Sequence, residues 1–400
     1  MMHCRVCETK LVENIDFGPM PIANNFVEDR KSSLVDHFHM RTGVCPKCFC
    51  YQLFDQPAPE AMFNENYPFF TSTSRRMVMH FESTWHNTVK KLARPGDLIV
   101  EIGSNDGSFL LNAVADGFNV LGIEPSKSVH DAAVARGIRS INEFFSLDLS
   151  RRLKAEFGKA RVVFGANVIC HIPNVIEIFK AAESLLEDDG WFIFEEPYIL
   201  DVLKLNSFDQ IYDEHVFLYS ATSVSQIART AGLILVNMDR ISNHGGSARY
   251  FLRKSKHRSS DVAVEEERKL GLQDLETYEE FASRVRTLEE QIPAFLQAAK
   301  DRYGRIYGYG ATSKSTTINR YCGINNRLVE KIYDVTPRKI GTYAPGSGIP
   351  VRSFDERVED NPRCFVLYAW NHKAEIQEKE REFTASGGVF VEFFPAPRFC

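Results

Sequence analysis

The chain of 400 residues has no uninterrupted apolar run of about 18 residues, the length a membrane-crossing helix needs. It also lacks the charged-then-apolar opening of a secretory leader. The two absences point to a cytoplasmic protein with no membrane partner. There is no block of Lys and Arg, and the formal net charge is −5. Phosphate backbones attract proteins mainly through such blocks, so nucleic acid is not expected as a partner. Tandem repeats and low-complexity tracts are missing too, which excludes a solenoid or array. What remains is ordinary globular composition, 44% hydrophobic and 25% charged. At this length it implies two or three domains rather than one core.

The nine cysteines are an odd number, and four of them form two C-x-x-C pairs. In an apparently intracellular chain this favours metal over disulfides. Between the pairs, FGPMPIANNF (Phe17 to Phe26) is too broken by Pro and Gly for a helix, so the first stretch reads as a small metal-held module. After a Tyr/Phe/Ser/Thr-rich segment, Tyr67 to Ser74, the spacing from Arg75 to Ala93 predicts a helix, and DLIVEIGSNDG then switches to strand and glycine punctuation. Strands are expected at Val120–Ile123, Val162–Ala166 and Trp191–Phe194, with helical stretches such as Val175–Leu186 between them. This alternation implies a doubly wound parallel sheet. Asp261 to Lys300 reads as one long connecting helix, with Leu275, Tyr278, Phe281, Val285 and Leu288 at three- and four-residue steps. A second strand-glycine-helix signal starts at Arg305, with strands at Val329–Tyr333 and Cys364–Ala369, so a further nucleotide-binding type of α/β unit follows.

Cys4, Cys7, Cys45 and Cys48 supply four thiolates at a spacing that closes a tetrahedral zinc site, with Cys50 close enough to be mistaken for a ligand. Four sulfurs leave no open position, so the zinc is expected to be structural. In EIGSNDG, Glu101 ends a strand, and Gly103 and Gly107 permit a tight turn close to a ligand. Glu124 closes the next strand at a position suited to ribose hydroxyls. A dinucleotide pyrophosphate wants a fuller glycine cradle, but Asn105 stands in place of the middle glycine beside the acidic Asp106. S-adenosylmethionine, which carries no phosphate, fits better. VVFGANVICHIPN places Asn167 and His171 in the loop after another strand, at a sheet edge where ligands bind. FDQIYDEHVFLYS brings Tyr212, Asp213, Glu214 and His215 together, which suggests general acid/base chemistry or, more plainly, a polar turn. EEPY, with Glu196 and Tyr198, falls on the same rim. NHGGSARYF, with Asn243 and His244, and YGYGATSKS, with Gly310, Thr312, Ser313 and Lys314, offer flexible backbone and cations near possible phosphates, or simple loops.

In order along the chain, the cysteine pairs with GPMPIANNF, then EIGSNDG, NVICHI, EEPY, YDEHVFLYS, HGGSARYF, YGYGATSKSTT and LYAWNHKAEI resemble the nucleotide-sugar C-methyltransferase family. The resemblance runs from Cys4 nearly to the C-terminus. It implies a zinc-binding module at 1–70, a central Rossmann-like class I methyltransferase domain at 71–255 that binds S-adenosylmethionine, a helical connector at 256–300, and a C-terminal Rossmann-like α/β domain at 301–400 that holds a nucleotide-linked sugar. It further implies that His215 is the base, that Tyr212, Glu214 and His171 line the reacting face, and that the four cysteines hold zinc. Glu101, Gly103, Asn105, Gly107, Glu124 and Asn167 then face the cofactor, and Glu196, Tyr198, Asn243, His244, Gly310, Thr312, Ser313 and Lys314 face the substrate. The reaction expected is methylation of a carbon, C-3 in the best-known members, beside the ketone of a dTDP-, GDP- or CDP-linked 4-keto-6-deoxy sugar. Three rival readings stand beside it: a zinc-ribbon nucleic-acid-binding or RNA-modifying protein, a nicotinamide oxidoreductase using YGYGATS, and a non-catalytic nucleotide-sugar binding protein. The three-part architecture permits a monomer.

Overall fold

The computed structural model describes residues 2–63, 69–257 and 261–400, so Tyr67 and the start of the expected connector around 258–260 lie outside the described residues. Among the described residues, three sheets organise the chain. The first is antiparallel: β1 (Val12–Met20), β2 (Phe38–Val44) and β3 (Tyr51–Leu53) are joined at the edge by β9 (Phe217–Leu218), a strand from far along the sequence. Tyr51 pairs with Leu218 and Gln52 with Phe217. The expected Pro/Gly-broken segment is thus partly strand, with the pairing slipping around Asp16 and Gly18.

The second sheet has seven strands: β4 (Leu98–Ile102), β5 (Asn119–Ile123), β6 (Ser140–Ile141), β7 (Ala160–Ala166), β8 (Leu186–Pro197), β10 (Leu233–Ile241) and β11 (Ser247–Lys254). Their order is β10-β11-β8-β7-β4-β5-β6, parallel except where β11 runs against both neighbours. Ile99, Val100, Val162, Val163, Phe164, Phe192 and Ile193 are fully buried, as strands covered on both faces require. Chain order reverses between β4 and β7, which opens a crevice at their carboxyl ends.

The third sheet is smaller and built on the same plan. Strands β12 (Ile306–Tyr309), β13 (Ile332–Asp334), β14 (Val351–Ser353), β15 (Cys364–Leu367) and β16 (Val389–Glu392) are parallel, and β17 (Arg398–Phe399) closes the edge antiparallel. The strand expected at Val329 begins only at Ile332, because the amides of Leu328 and Val329 turn back to the Asn325 carbonyl. The strand expected to reach Ala369 stops at Leu367.

The helix expected from Arg75 to Ala93 ends at Asn87 and continues as a 3-10 turn over Val89–Leu92. The long connector is two helices, Val262–Lys269 and Leu275–Tyr303, rather than one. The break falls at Gly271, whose φ of +80° is the left-handed conformation that ends a helix, and Thr277 Oγ1 donates to its carbonyl. The second helix buries Tyr278, Phe281, Val285, Leu288, Ile292 and Leu296 along one stripe. Asn14 Nδ2 donates to the Tyr278 carbonyl at 2.8 Å, which ties β1 to this helix. Among the described residues no helix is long and apolar enough to cross a membrane.

One buried carboxylate fixes the segment that leaves β9. Glu267 accepts from Tyr198 Oη (2.9 Å), the Ala221 and Thr222 amides (2.6 and 2.8 Å) and Thr222 Oγ1 (2.7 Å), capping the helix Ala221–Thr230. Glu267→Ala orphans those donors and is expected to lower stability by roughly 3 kcal/mol in urea unfolding. A loss within experimental error would contradict this anchoring role.

Candidate active site

The four cysteines form a compact thiol cluster. Cys4 Sγ lies 3.5 Å from Cys48, and Cys7 lies 3.4 Å from Cys45 and 3.8 Å from Cys48. Such sulfur separations suit a tetrahedral ion with metal–sulfur bonds of about 2.3 Å. Backbone amides of Val6, Lys47 and Cys48 and the Gln52 side chain point at these sulfurs, which favours their thiolate form. Cys50 stays outside the group, its thiol turned to the Tyr51 carbonyl.

The crevice of the seven-stranded sheet widens into a cavity of about 440 Å³, lined by residues of the central domain, the C-terminal domain and loops of the N-terminal module. On the β4 side Glu101 is buried with Oε2 unpaired, and Ser104 Oγ beside it is unpaired as well. Burial, then the charges of Asp106, Glu124 and Glu195, push the Glu101 carboxyl up. Glu124 accepts the Asn105 amide (3.0 Å) and the Ser126 amide (2.8 Å). Each oxygen keeps a second lone pair. Gly103 has φ +65°, and a Cβ there would sit 2.6 Å from Val168, so only glycine lets the turn pass this close to the neighbouring loop. Asn105 and Asn167 complete this wall. Gly107 lies off the cavity and packs against Ile138.

The opposite wall carries Tyr212, Glu214, His215 and His171. The His215 ring is buried, with Nδ1 2.7 Å from the Gln210 carbonyl and Nε2 2.9 Å from Tyr212 Oη. A carbonyl only accepts, so Nδ1 holds the proton and donates. Nε2 therefore presents a lone pair, and the Tyr212 hydroxyl donates to it. Burial holds the imidazole neutral, its pKa pushed down to about 3. His171 stacks on it at 5.4 Å between Phe63 and His215, with Nε2 buried and unpaired. Glu214 accepts Asn24 Nδ2 at 2.6 Å, and burial pushes its carboxyl up to about 7. Cys170, His171 and His215 also bring ligand atoms within 4.8 Å of one another. Their two nearly parallel rings, 18° apart, share no in-plane point for a metal.

The third wall comes from the C-terminal sheet. Thr312 caps the helix Ser313–Tyr321 by accepting the Ser315 amide, and Ser313 and Lys314 open that helix into the cavity. Lys314 is only 8% exposed, donates to Asn371 Oδ1 at 3.0 Å and lies 4.9 Å over the Trp370 ring. His244 also lines the cavity, with Nε2 buried and unpaired.

Four of the expected substrate residues lie off the cavity. Glu196 Oε1 accepts the amides of Val168, Ile169 and Cys170 (3.1, 2.7 and 3.1 Å) and shapes the turn that carries His171. Tyr198 is committed to Glu267. The Asn243 carbonyl accepts Ser247 Oγ, and Gly310, with φ +87°, supports Ala369. Asn24, Lys339, Asn371 and His372 line the cavity without having been singled out from the sequence. GPMPIANNF and LYAWNHKAEI held three of them in view, but nothing around Lys339 marks it.

Three family models match successive parts of the chain. A zinc binding domain model matches residues 4–63, a methyltransferase domain model residues 79–237, and a C-methyltransferase C-terminal domain model residues 242–395. The C-methyltransferase NovU of Streptomyces niveus is 30% identical over 404 residues, spanning 99% of this chain and 96% of the relative. The chain belongs to the C-methyltransferase family. Solved structures are more distant. The CcbJ methyltransferase of Streptomyces caelestis (15% identity, 44% of this chain and 89% of that one, TM-score 0.34) and the PH0226 protein of Pyrococcus horikoshii (15%, 47%, 95%, 0.37) are similar at a level that carries no argument.

The C-methyltransferase uses S-adenosylmethionine and a structural zinc, and the residues present fit both. The unpaired Glu101 and Ser104 oxygens and the spare acceptors of Glu124 suit a phosphate-free nucleoside with a charged tail, and the four sulfurs suit the ion. At YGYGATS, Ser313 stands where a dinucleotide cradle has its third glycine.

Cys48→Ser is expected to lose zinc in metal analysis and to melt roughly 10 °C lower, since binding of a structural metal is folding free energy. Retained zinc with an unchanged melting point would exclude the tetrathiolate site. The pH dependence has a definite sign. His215 has its folded pKa depressed from 6.5 to about 3, so the stability tied to its neutral form is present above 6.5 and is lost as pH falls toward 3. Over that window wild type should lose up to about 1.4 kcal/mol more per pH unit than His215→Asn in urea titrations. Parallel curves would refute a buried neutral imidazole.

Proposed function

We propose that this C-methyltransferase methylates the carbon beside the ketone, C-3, of a nucleotide-linked 4-keto-6-deoxy sugar. The observation that carries the reading is the unprotonated Nε2 of a buried, neutral His215, its lone pair taken by the Tyr212 hydroxyl, in a cavity that buried Lys314 also lines at a helix N-terminus. A carbon acid beside a ketone needs a base for its proton and a donor for the developing enolate oxygen. His215 Nε2 takes the proton from C-3. The Tyr212 hydroxyl, released from Nε2 as the substrate enters, turns its hydrogen to the C-4 oxygen. Glu214, held by Asn24, and His171 orient the sugar. Bound S-adenosylmethionine supplies the electrophilic methyl group. Glu101, Gly103, Asn105, Glu124 and Asn167 hold it.

At the other end, Lys314 and the amides that open the helix Ser313–Tyr321 take the diphosphate, where a cation and a helix N-terminus act together. Thr312 and His244 flank them. Half-buried Lys339, whose ammonium donates to the Ala311 carbonyl, adds a second cation to the same wall. The substrate is a small molecule rather than a nucleic acid, and the three-part chain permits a monomer. These assignments are tested by incubating the enzyme with S-adenosylmethionine and a panel of nucleotide-linked 4-keto-6-deoxy sugars, followed by mass spectrometry. One sugar is expected to gain one methylene equivalent, and His215→Asn should lower turnover ~10²- to 10⁴-fold. Full turnover in His215→Asn, or no product across the panel, would remove the reading.

A further inference from the structure

The zinc-held module reaches the reacting centre through a side chain that the mechanism above leaves unused. Gln56 follows β3, just downstream of Cys48, and its Nε2 donates to two carbonyls at once: that of His171 at 3.1 Å and that of Asp213 at 3.1 Å. Both partners only accept, so the amide must present its NH2 group to them, and its two hydrogens serve two bonds. One end of this bridge is the backbone of His171 itself. The other lies two residues before His215.

The bridged segments belong to different parts of the fold. His171 sits on the turn after β7, which the Glu196 carboxylate shapes from below. Asp213 sits on the loop that ends in β9, and β9 is sewn to β3 of the zinc module through the pairs Tyr51 to Leu218 and Gln52 to Phe217. The Leu53 amide adds a bond to the Val216 carbonyl at 2.8 Å. The same loop receives the Ala23 amide on Asp213 Oδ1 at 3.1 Å and Asn24 on Glu214. The zinc module therefore grips the loop at several points, while Gln56 alone of these contacts also ties that loop to the turn of His171. Across the bridge the two imidazole rings meet at 5.4 Å.

We propose that Gln56 is a positioning residue for the methyl transfer: by spanning the His171 and Asp213 carbonyls it sets the spacing of the two rings and the aim of the His215 lone pair, which makes the zinc-held module part of the catalytic frame. The inference rests on the reading of His215 as the base. A base displaced by about 1 Å costs roughly 10²-fold in rate even when binding is intact. A Gln offers what the span requires. Glu has no hydrogen to give and would set its charge against two carbonyl dipoles, and Met has similar reach but no donor.

The test uses full-length, zinc-loaded Gln56→Met and Gln56→Glu with a dTDP-linked 4-keto-6-deoxyhexose as probe. Four quantities are read: kcat, the KM for S-adenosylmethionine, solvent-deuterium exchange at the sugar α-carbon without S-adenosylmethionine, and zinc content with melting temperature. Both variants are expected to lose turnover and exchange together, ~10²-fold, with the KM within about twofold and zinc and melting temperature retained. Placed on His215→Asn, Gln56→Met should add no further loss, because the two residues act on one proton transfer. Turnover within about twofold of wild type in Gln56→Met, losses that add to those of His215→Asn, or losses that track zinc or melting temperature in both variants would each overturn the proposal. If His215→Asn itself keeps full turnover, the assignment of the base fails. If His215→Asn is inactive and Gln56→Met is not, only the role of Gln56 fails.

Discussion

The hydrogen bond from His215 Nδ1 to the Gln210 carbonyl is the constraint on which the site depends. It decides which ring nitrogen carries the proton, and so which one carries the lone pair. It also holds the ring plane that brings Nε2 to Tyr212 and the face that stacks on His171. Burial then keeps the ring neutral. In water the same imidazole would exchange tautomers and protons freely; here the loop Gln210–Val216 makes one form persist. A loop is a poor place for such precision unless its backbone is tied down. This one is tied on three sides: β9 enters the zinc module's sheet, Thr317 Oγ1 donates to the Ile211 carbonyl from the C-terminal domain, and Tyr219 Oη donates to the Ile169 carbonyl of the central domain.

Seen this way, the three sheets have distinct duties around one cavity. The central sheet supplies the strand ends that open the crevice, the C-terminal domain supplies buried Lys314 and half-buried Lys339, and the zinc module supplies anchorage. A small module with one short antiparallel sheet could not hold its own shape without the four cysteines. Its rigidity is what makes Asn24 and Gln56 useful at a distance from the metal. The zinc stands apart from the chemistry and still bears on it through backbone geometry.

Much of this was legible in the sequence because local patterns carried it. The cysteine spacing, the strand and glycine turn of EIGSNDG and the clustered Tyr212-Asp213-Glu214-His215 each announce a local structure with its own chemistry. Three features were less legible for physical reasons. In EEPY, adjacent residues of a strand point to opposite faces, so Glu195 turns to His80 and Arg249 while Glu196 turns to the amides of the loop after β7, and neither reaches the cavity. The connector breaks at Gly271, ahead of the apolar pattern that begins at Leu275, in a charged stretch that has little pattern of its own. Gln56 and Lys339 meet the site only through contacts across the whole chain, and nothing near them in sequence sets them apart from surface polar residues.

The central claim is that His215 waits in the cavity as a neutral imidazole with its proton on Nδ1 and a lone pair on Nε2. The most direct measurement is nitrogen NMR of the enzyme with ¹⁵N-labelled histidine rings at neutral pH, with His215 assigned by its loss in His215→Asn. The account predicts a protonated Nδ1 and a bare Nε2 for that residue, unchanged on mild acidification. A proton on Nε2, or a doubly protonated ring at neutral pH, would contradict it.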